Sequence, residues 1–136
     1  MKNRITPTWI TSLKPNECFI FGSNRSGRHG KGAAKTALKW GAKWGQAEGL
    51  QGNTYGIPTV DAAIKNTLPL QEIKVYVDEF IKYAKHDKDT VFLLTEIGCG
   101  LAGLTVEQVA PLFKDAVDVE NIHMPLSFWN VLNGEQ

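Results

Sequence analysis

Val91-Phe92-Leu93-Leu94-Thr95-Glu96-Ile97-Gly98-Cys99-Gly100-Leu101-Ala102-Gly103 decides how this chain is read. An apolar run stops in three glycines spaced G-x-G-x-x-G, and a helical pattern resumes at Thr105, so the order is buried strand, tight loop, helix. Glycines adopt conformations that a Cβ obstructs and leave peptide N–H groups open to an anion, which makes Gly98 to Gly103 a phosphate-holding loop. A plain strand-to-helix turn would use the same glycines.

Upstream, Leu70, Ile73, Val77, Phe80, Ile81 and Ala84 fall on one stripe, predicting a helix from Pro69 to Lys85, with Pro69 suited to its start. Thr54-Tyr55-Gly56-Ile57-Pro58 reads as a strand ended by Pro58, which lacks the ladder donor, and 59–68 as a loop. Cys18-Phe19-Ile20-Phe21 reads as a buried strand stopped by Gly22-Ser23-Asn24. From Lys31 to Trp44 the spacing predicts an amphipathic helix, with Lys31, Lys35, Lys39 and Lys43 on its solvated side and small residues facing a sheet. Trp40 and Trp44, one turn apart, would pack on that sheet or on a second copy of the chain, which leaves a homo-oligomer open. Downstream, 106–117 reads as a third helix and 121–125 as a last strand. The alternation predicts an α/β domain spanning 1–136, with a mostly parallel sheet and helices on both faces. Its loops after the strands, Ser127-Phe128-Trp129 among them, would converge on one ligand edge, where Phe128 would stack on a base.

The 136 residues suit one domain, and 43% hydrophobic and 21% charged residues are ordinary for a globular protein. No apolar stretch approaches the length of a membrane span or of a signal-peptide core, so the expected location is cytoplasmic. Two cysteines make no disulfide framework, and Cys18, His29, His86, Cys99 and His123 lack metal-site spacing, so neither metal nor cofactor is called for. Fifteen Lys and Arg against fourteen Asp and Glu give a net charge of +1, which argues against a general nucleic-acid binder. Every charged residue from Arg25 to Lys43 is nevertheless basic, concentrating positive potential beside the first glycine-rich loop.

That loop, Gly22-Ser23-Asn24-Arg25-Ser26-Gly27-Arg28-His29-Gly30-Lys31-Gly32, enters a helix and would seat an anion there, or would be a surface turn with solvated arginines. It is not a Walker loop, because Gly32 follows Lys31 where Ser or Thr is required. Nor is Gly98 to Gly103 a dinucleotide fingerprint, since it follows the third strand and no acid ends the next one. Histidine ordinarily titrates near neutrality, so His29 would act as a general acid or base or as a phosphate-binding surface residue, and Asp61 and Glu96 at strand ends would activate a water. Glu96 would otherwise cap loop amides. Cys99 is either a thiol activated at a helix N-terminus or a small packed side chain.

Phe21-Gly22-Ser23-Asn24, the glycine-rich entry into an alanine helix, Tyr55-Gly56-Ile57-Pro58-Thr59 and Thr95 to Gly103 resemble, in order, the landmarks of macrodomains. The resemblance covers roughly residues 17 to 130 and extends to a compact bacterial and phage branch of that superfamily. It implies a three-layer α/β/α domain that binds ADP-ribose or a related nucleotide. Asn24 would meet the distal ribose between Gly30 and Gly32, and Gly98, Cys99, Gly100, Leu101, Ala102 and Gly103 would hold the diphosphate. Gly22, Ser23, Arg28, Lys31 and Thr59 would complete the site. The usual adenine-reading aspartate has no equivalent in Lys14-Pro15-Asn16-Glu17, so the resemblance leaves the base open. If the protein is an enzyme, the reaction would be hydrolysis of an ADP-ribosyl or nucleotide-linked bond, with Asn24 positioning the ribose and His29, Asp61 or Glu96 moving protons. The alternatives are a non-catalytic module that senses or sequesters a nucleotide signal in bacterial or phage conflict, and a protein-interaction domain.

Overall fold

A computed structural model describes residues 4–134. Its sheet has five strands: β1 (Glu17–Asn24), β2 (Gly49–Gln51), β3 (Thr54–Val60), β4 (Val91–Leu94) and β5 (Ile122–His123). They lie in the order β2-β3-β1-β4-β5, parallel throughout except for the antiparallel pair of β2 and β3. The architecture is therefore α/β with a mixed, mostly parallel sheet. The short edge strand β2 is an addition to the sequence reading. No helix among the described residues is long and apolar enough to cross a membrane.

β1 lies at the centre, and the alternation of its side chains fills both faces. Cys18 and Ile20 join Tyr55, Ile57, Phe92 and Leu94 against the helix α2 (Leu70–His86). Phe19 and Phe21 face the other way and pack on Ala34 and Ala37 of α1 (Gly32–Ala37). The buried stripe of α2 is Ile73, Val77, Phe80, Ile81 and Ala84, as its period predicts.

Three elements differ from the expectations. The helix expected over 31–44 spans six residues and one 3-10 turn, Leu38–Trp40, and stops at Gly41. Gly41 has φ +105°, and a Cβ there would lie 2.8 Å from Gly52 Cα, so the chain turns where only a glycine fits against another. Pro58 does not end β3. The strand runs on to Val60, and its register against β1 skips Thr59, pairing Ser23 with Pro58 and Asn24 with Val60. A proline inside a ladder is tolerated beside such an irregularity. The third helix divides into α3 (Val106–Val109), closed by a Thr105–Gln108 capping box, and a 3-10 segment, Ala110–Ala116, because Pro111 lacks the N–H of an α-helical bond. Residues 126–132 form the helix α4 (Leu126–Leu132) rather than a loop.

The chain passes from β1 to β3 on one side and then to β4 on the other. β1 and β4 therefore flank a switch in strand order, where α/β sheets leave a crevice beyond the carboxyl ends of their strands.

Candidate functional site

A cleft of about 750 Å³ opens at this switch point, within the size range of small-molecule sites. Gly22, Ser23 and Asn24 from the end of β1 form its floor with Thr59 and Val60 of β3. One wall is Arg28, Gly30, Lys31 and Gly32 with the start of α1, and the other is Thr95 to Gly98 with Gly100, Leu101 and Ala102. The floor is packed at ordinary contact distance: a Cβ on Gly22 would meet Gly98 N and Ile97 Cβ at 3.4 Å and Thr59 Oγ1 at 3.5 Å. Gly98 itself has φ +75°, a conformation that L side chains rarely adopt.

The two glycine loops have a common hydrogen-bonding character. Around the second loop the amides of Ile97, Cys99, Gly103 and Leu104 bond to Thr95, Glu96, Gly100 and Gly98 carbonyls, which closes the turn. The amides of Gly98, Gly100, Leu101 and Ala102 have no acceptor among the described residues, and all four residues line the cleft. In the first loop, Arg25, Gly27 and Arg28 donate to Val60 O, Asn24 O and Asn24 Oδ1, whereas Gly30, Lys31 and Gly32 donate to nothing described. Unpaired peptide donors on both sides of a cleft are what an anion requires. With only six residues in α1, the contribution of a helix macrodipole is small beside that of these amides.

Charge follows the same division. Neither ion pair among the described residues involves Arg28 or Lys31, and both of these side chains are exposed at the cleft. Arg25 points elsewhere, held 2.7 Å from Glu72 and bonded to Tyr76. Glu96 is the carboxylate in the lining, and its Oε2 accepts from Ser127 Oγ.

Several expected site residues have other surroundings than the sequence predicts. His29 is fully buried beneath the loop and absent from the lining, with Nε2 3.0 Å from Gln46 O and 3.2 Å from Gln51 Oε1. Both partners are oxygens of the segment beneath the loop, so the His29 ring ties the loop to Gln46 and Gln51 and does not face the cleft. Asp61 turns into its own loop, accepting from Lys65 N and Asn66 Nδ2. The Lys65 amide bond is the main cause that holds its carboxyl below the ordinary range.

Asn24 reaches the cleft floor, but its Oδ1 accepts from Arg28 N and Ser26 Oγ and its Nδ2 donates to Arg28 O. Its amide shapes the loop. Cys99 lies outside the lining, half-buried with Sγ against Ile97 O, and burial pushes its thiol up to about 11. That direction opposes an activated nucleophile. Gly103 also lies outside the lining. Phe128 does not reach the ligand edge: it is fully buried against Phe113 because α4 turns it into the core.

Trp44, Ile64, Ala33, Ala34, Val60, Thr95 and Ile97 also line the cleft, although the sequence marks none of them as a ligand-binding residue. Trp44 had been grouped with Trp40 on one helix face, but Gly41 separates them. Trp40 packs on Phe19 with ring centroids 5.0 Å apart, and Trp44 stands at the cleft.

No family model matches the chain, and no curated protein matches it. A solved structure described as a protein of unknown function from Bacteroides thetaiotaomicron is similar, with a TM-score of 0.57 over 85% of this chain and 88% of that one at 15% identity. The likeness concerns the fold alone.

Proposed function

We propose that this chain is a three-layer macrodomain-like protein whose cleft binds ADP-ribose or a related nucleotide diphosphate. The observation that carries the reading is the pairing of unpartnered amides, Gly98 and Gly100 to Ala102 on one wall and Gly30 to Gly32 on the other, at a strand-order switch. Arg28 and Lys31 add mobile positive charge at the rim, which speeds capture of an anion more than it fixes its position. Holding the ligand is better supported than cleaving it, because among the described residues Glu96 is the one carboxylate in the lining and neither His29 nor Asp61 reaches it.

Calorimetry with ADP-ribose tests the reading, with exothermic binding and a raised melting temperature as the expected result. Absence of both at millimolar ligand removes it. Gly100 is suited to a control because a Cβ there meets nothing within 4 Å. Gly100→Glu therefore leaves melting unchanged while a negative charge beside the phosphates weakens binding about a hundredfold or more. Chromatography of the ligand after incubation separates sequestration from hydrolysis. If product forms, Glu96→Gln reduces its rate without weakening binding.

A further inference from the structure

Trp44, Ile64 and Leu101 are large apolar side chains, 64%, 45% and 78% exposed, carried on three different loops of one cleft. Scattered exposed apolar residues are unremarked in any protein, but convergence at a cleft rim marks a binding surface. Each is held in place. The backbone of Trp44 is fixed on both sides, by Gly45 N donating to Gly27 O at 2.8 Å and by Lys43 N donating to Gln51 Oε1 at 2.7 Å. Its Cη2 stands 3.9 Å from where a Gly30 Cβ would be, and its ring meets that of His29 edge-on at 6.5 Å. Leu101 Cδ1 reaches across to within 3.5 Å of the corresponding point on Gly32. The loop bearing Ile64 is tied to the loop bearing Leu101 by Thr67 Oγ1 donating to Ala102 O.

Ile64 adds a separate observation. Among the described residues it is the one non-glycine with positive φ, +59°, a conformation that is costly for a β-branched side chain. The fold tolerates this strain at a position that places an apolar side chain in the cleft.

We infer that Trp44, Ile64 and Leu101 form a clamp for the nucleobase of the bound nucleotide, with Trp44 as the stacking face. The inference rests on the phosphate-binding reading above and adds a part of the ligand that the phosphate contacts leave unheld. A sugar brings hydroxyls that need polar partners, and the clamp offers apolar surface instead. The face of a base needs none, and stacking on an indole tolerates any base.

The test compares inorganic pyrophosphate with ADP, GDP, CDP and UDP on the full chain by calorimetry. At least one nucleoside diphosphate binds the wild type more tightly than pyrophosphate and quenches Trp44 fluorescence. Trp44→Ala weakens that ligand about tenfold and leaves pyrophosphate unchanged, whereas Trp44→Phe retains part of the gain. Ile64→Asn, relieving the backbone strain, raises the melting temperature yet weakens the same nucleotide. If pyrophosphate binds and no nucleoside diphosphate binds more tightly, or if Trp44→Ala weakens both classes equally, the clamp is overturned and the phosphate site stands. If neither class binds the wild type, the phosphate reading falls and the clamp with it.

Discussion

Asn24 shows how a residue placed where a ligand contact is expected can serve the loop first. Its side chain makes three hydrogen bonds: Oδ1 receives Arg28 N at 2.9 Å and Ser26 Oγ at 2.8 Å, and Nδ2 donates to Arg28 O at 2.9 Å. The side chain thus substitutes for a backbone partner on both sides of one peptide residue, which asparagine does readily in turns. Asn24→Ala leaves the amide and carbonyl of Arg28 without these partners, and the expected loss of unfolding free energy is roughly 1–3 kcal/mol. Urea denaturation of the ligand-free protein measures it. A residue serving only to grip ribose would cost nothing in that experiment, so an unchanged midpoint would return Asn24 to the ligand role.

At the scale of elements, the sharpest constraint is where α1 gives way to β2 and β3. Gly52 has φ +62°, and a Cβ there would lie 2.6 Å from Gly41 Cα and 2.7 Å from Trp40 O, both backbone atoms that no rotamer change can move. Gly52→Ala must displace the end of the helical segment or the start of β3, and a loss on the order of 3 kcal/mol is expected, read as a lowered urea midpoint. A loss below about 1 kcal/mol would show that the two segments are free to separate. The same junction marks the limit of what periodicity reveals. The stripe of α2 was legible because 17 residues carry five buried positions at a regular spacing. In α1 the apolar spacing continues past Gly41, but the contact that ends the helical segment comes from Gly52, in the turn between β2 and β3. α4 spans only seven residues, too few for a period, so Phe128 and Trp129 were read as a rim rather than as core. Within the site, the glycine loops were legible because their backbone geometry is written in the residues themselves. The directions of His29 and Asp61 were not, since Gln51 on β2 and Asn66 beyond β3 set them.

The whole molecule is closed by one side chain near its beginning. Arg4 donates to the carbonyls of Ala116, Val117, Val119 and Ile122, with its guanidinium 5.0 Å from the centre of the Trp129 ring. Its own carbonyl accepts from Trp129 Nε1 and from Met124 N, and Thr6 N donates to Met124 O, so the first described residues extend the sheet beyond the two-residue strand β5. Nothing in the sequence distinguishes this arginine, because all of its partners lie more than a hundred residues away. Arg4→Met keeps the apolar stem but leaves those carbonyls without a cationic donor, and a loss of roughly 2–4 kcal/mol is expected. The same variant has a pH signature. His123 on β5 is held below its ordinary value of 6.5, by burial first and the Arg4 charge second, against an opposing effect of Glu17. The unfolded chain therefore takes up this proton before the folded one. The contribution of His123 to stability is complete above 6.5 and is lost as pH falls from 6.5 toward the lowered folded value. Removing the Arg4 charge raises the folded value and narrows that window. Urea denaturation above and below 6.5 should thus show a smaller acid-side loss in Arg4→Met than in the wild type, and the difference should vanish when both proteins also carry His123→Gln, a control required because Asp118 and Glu120 feel the Arg4 charge as well. Equal slopes in the two proteins would mean that Arg4 binds the carbonyls without influencing the His123 imidazole.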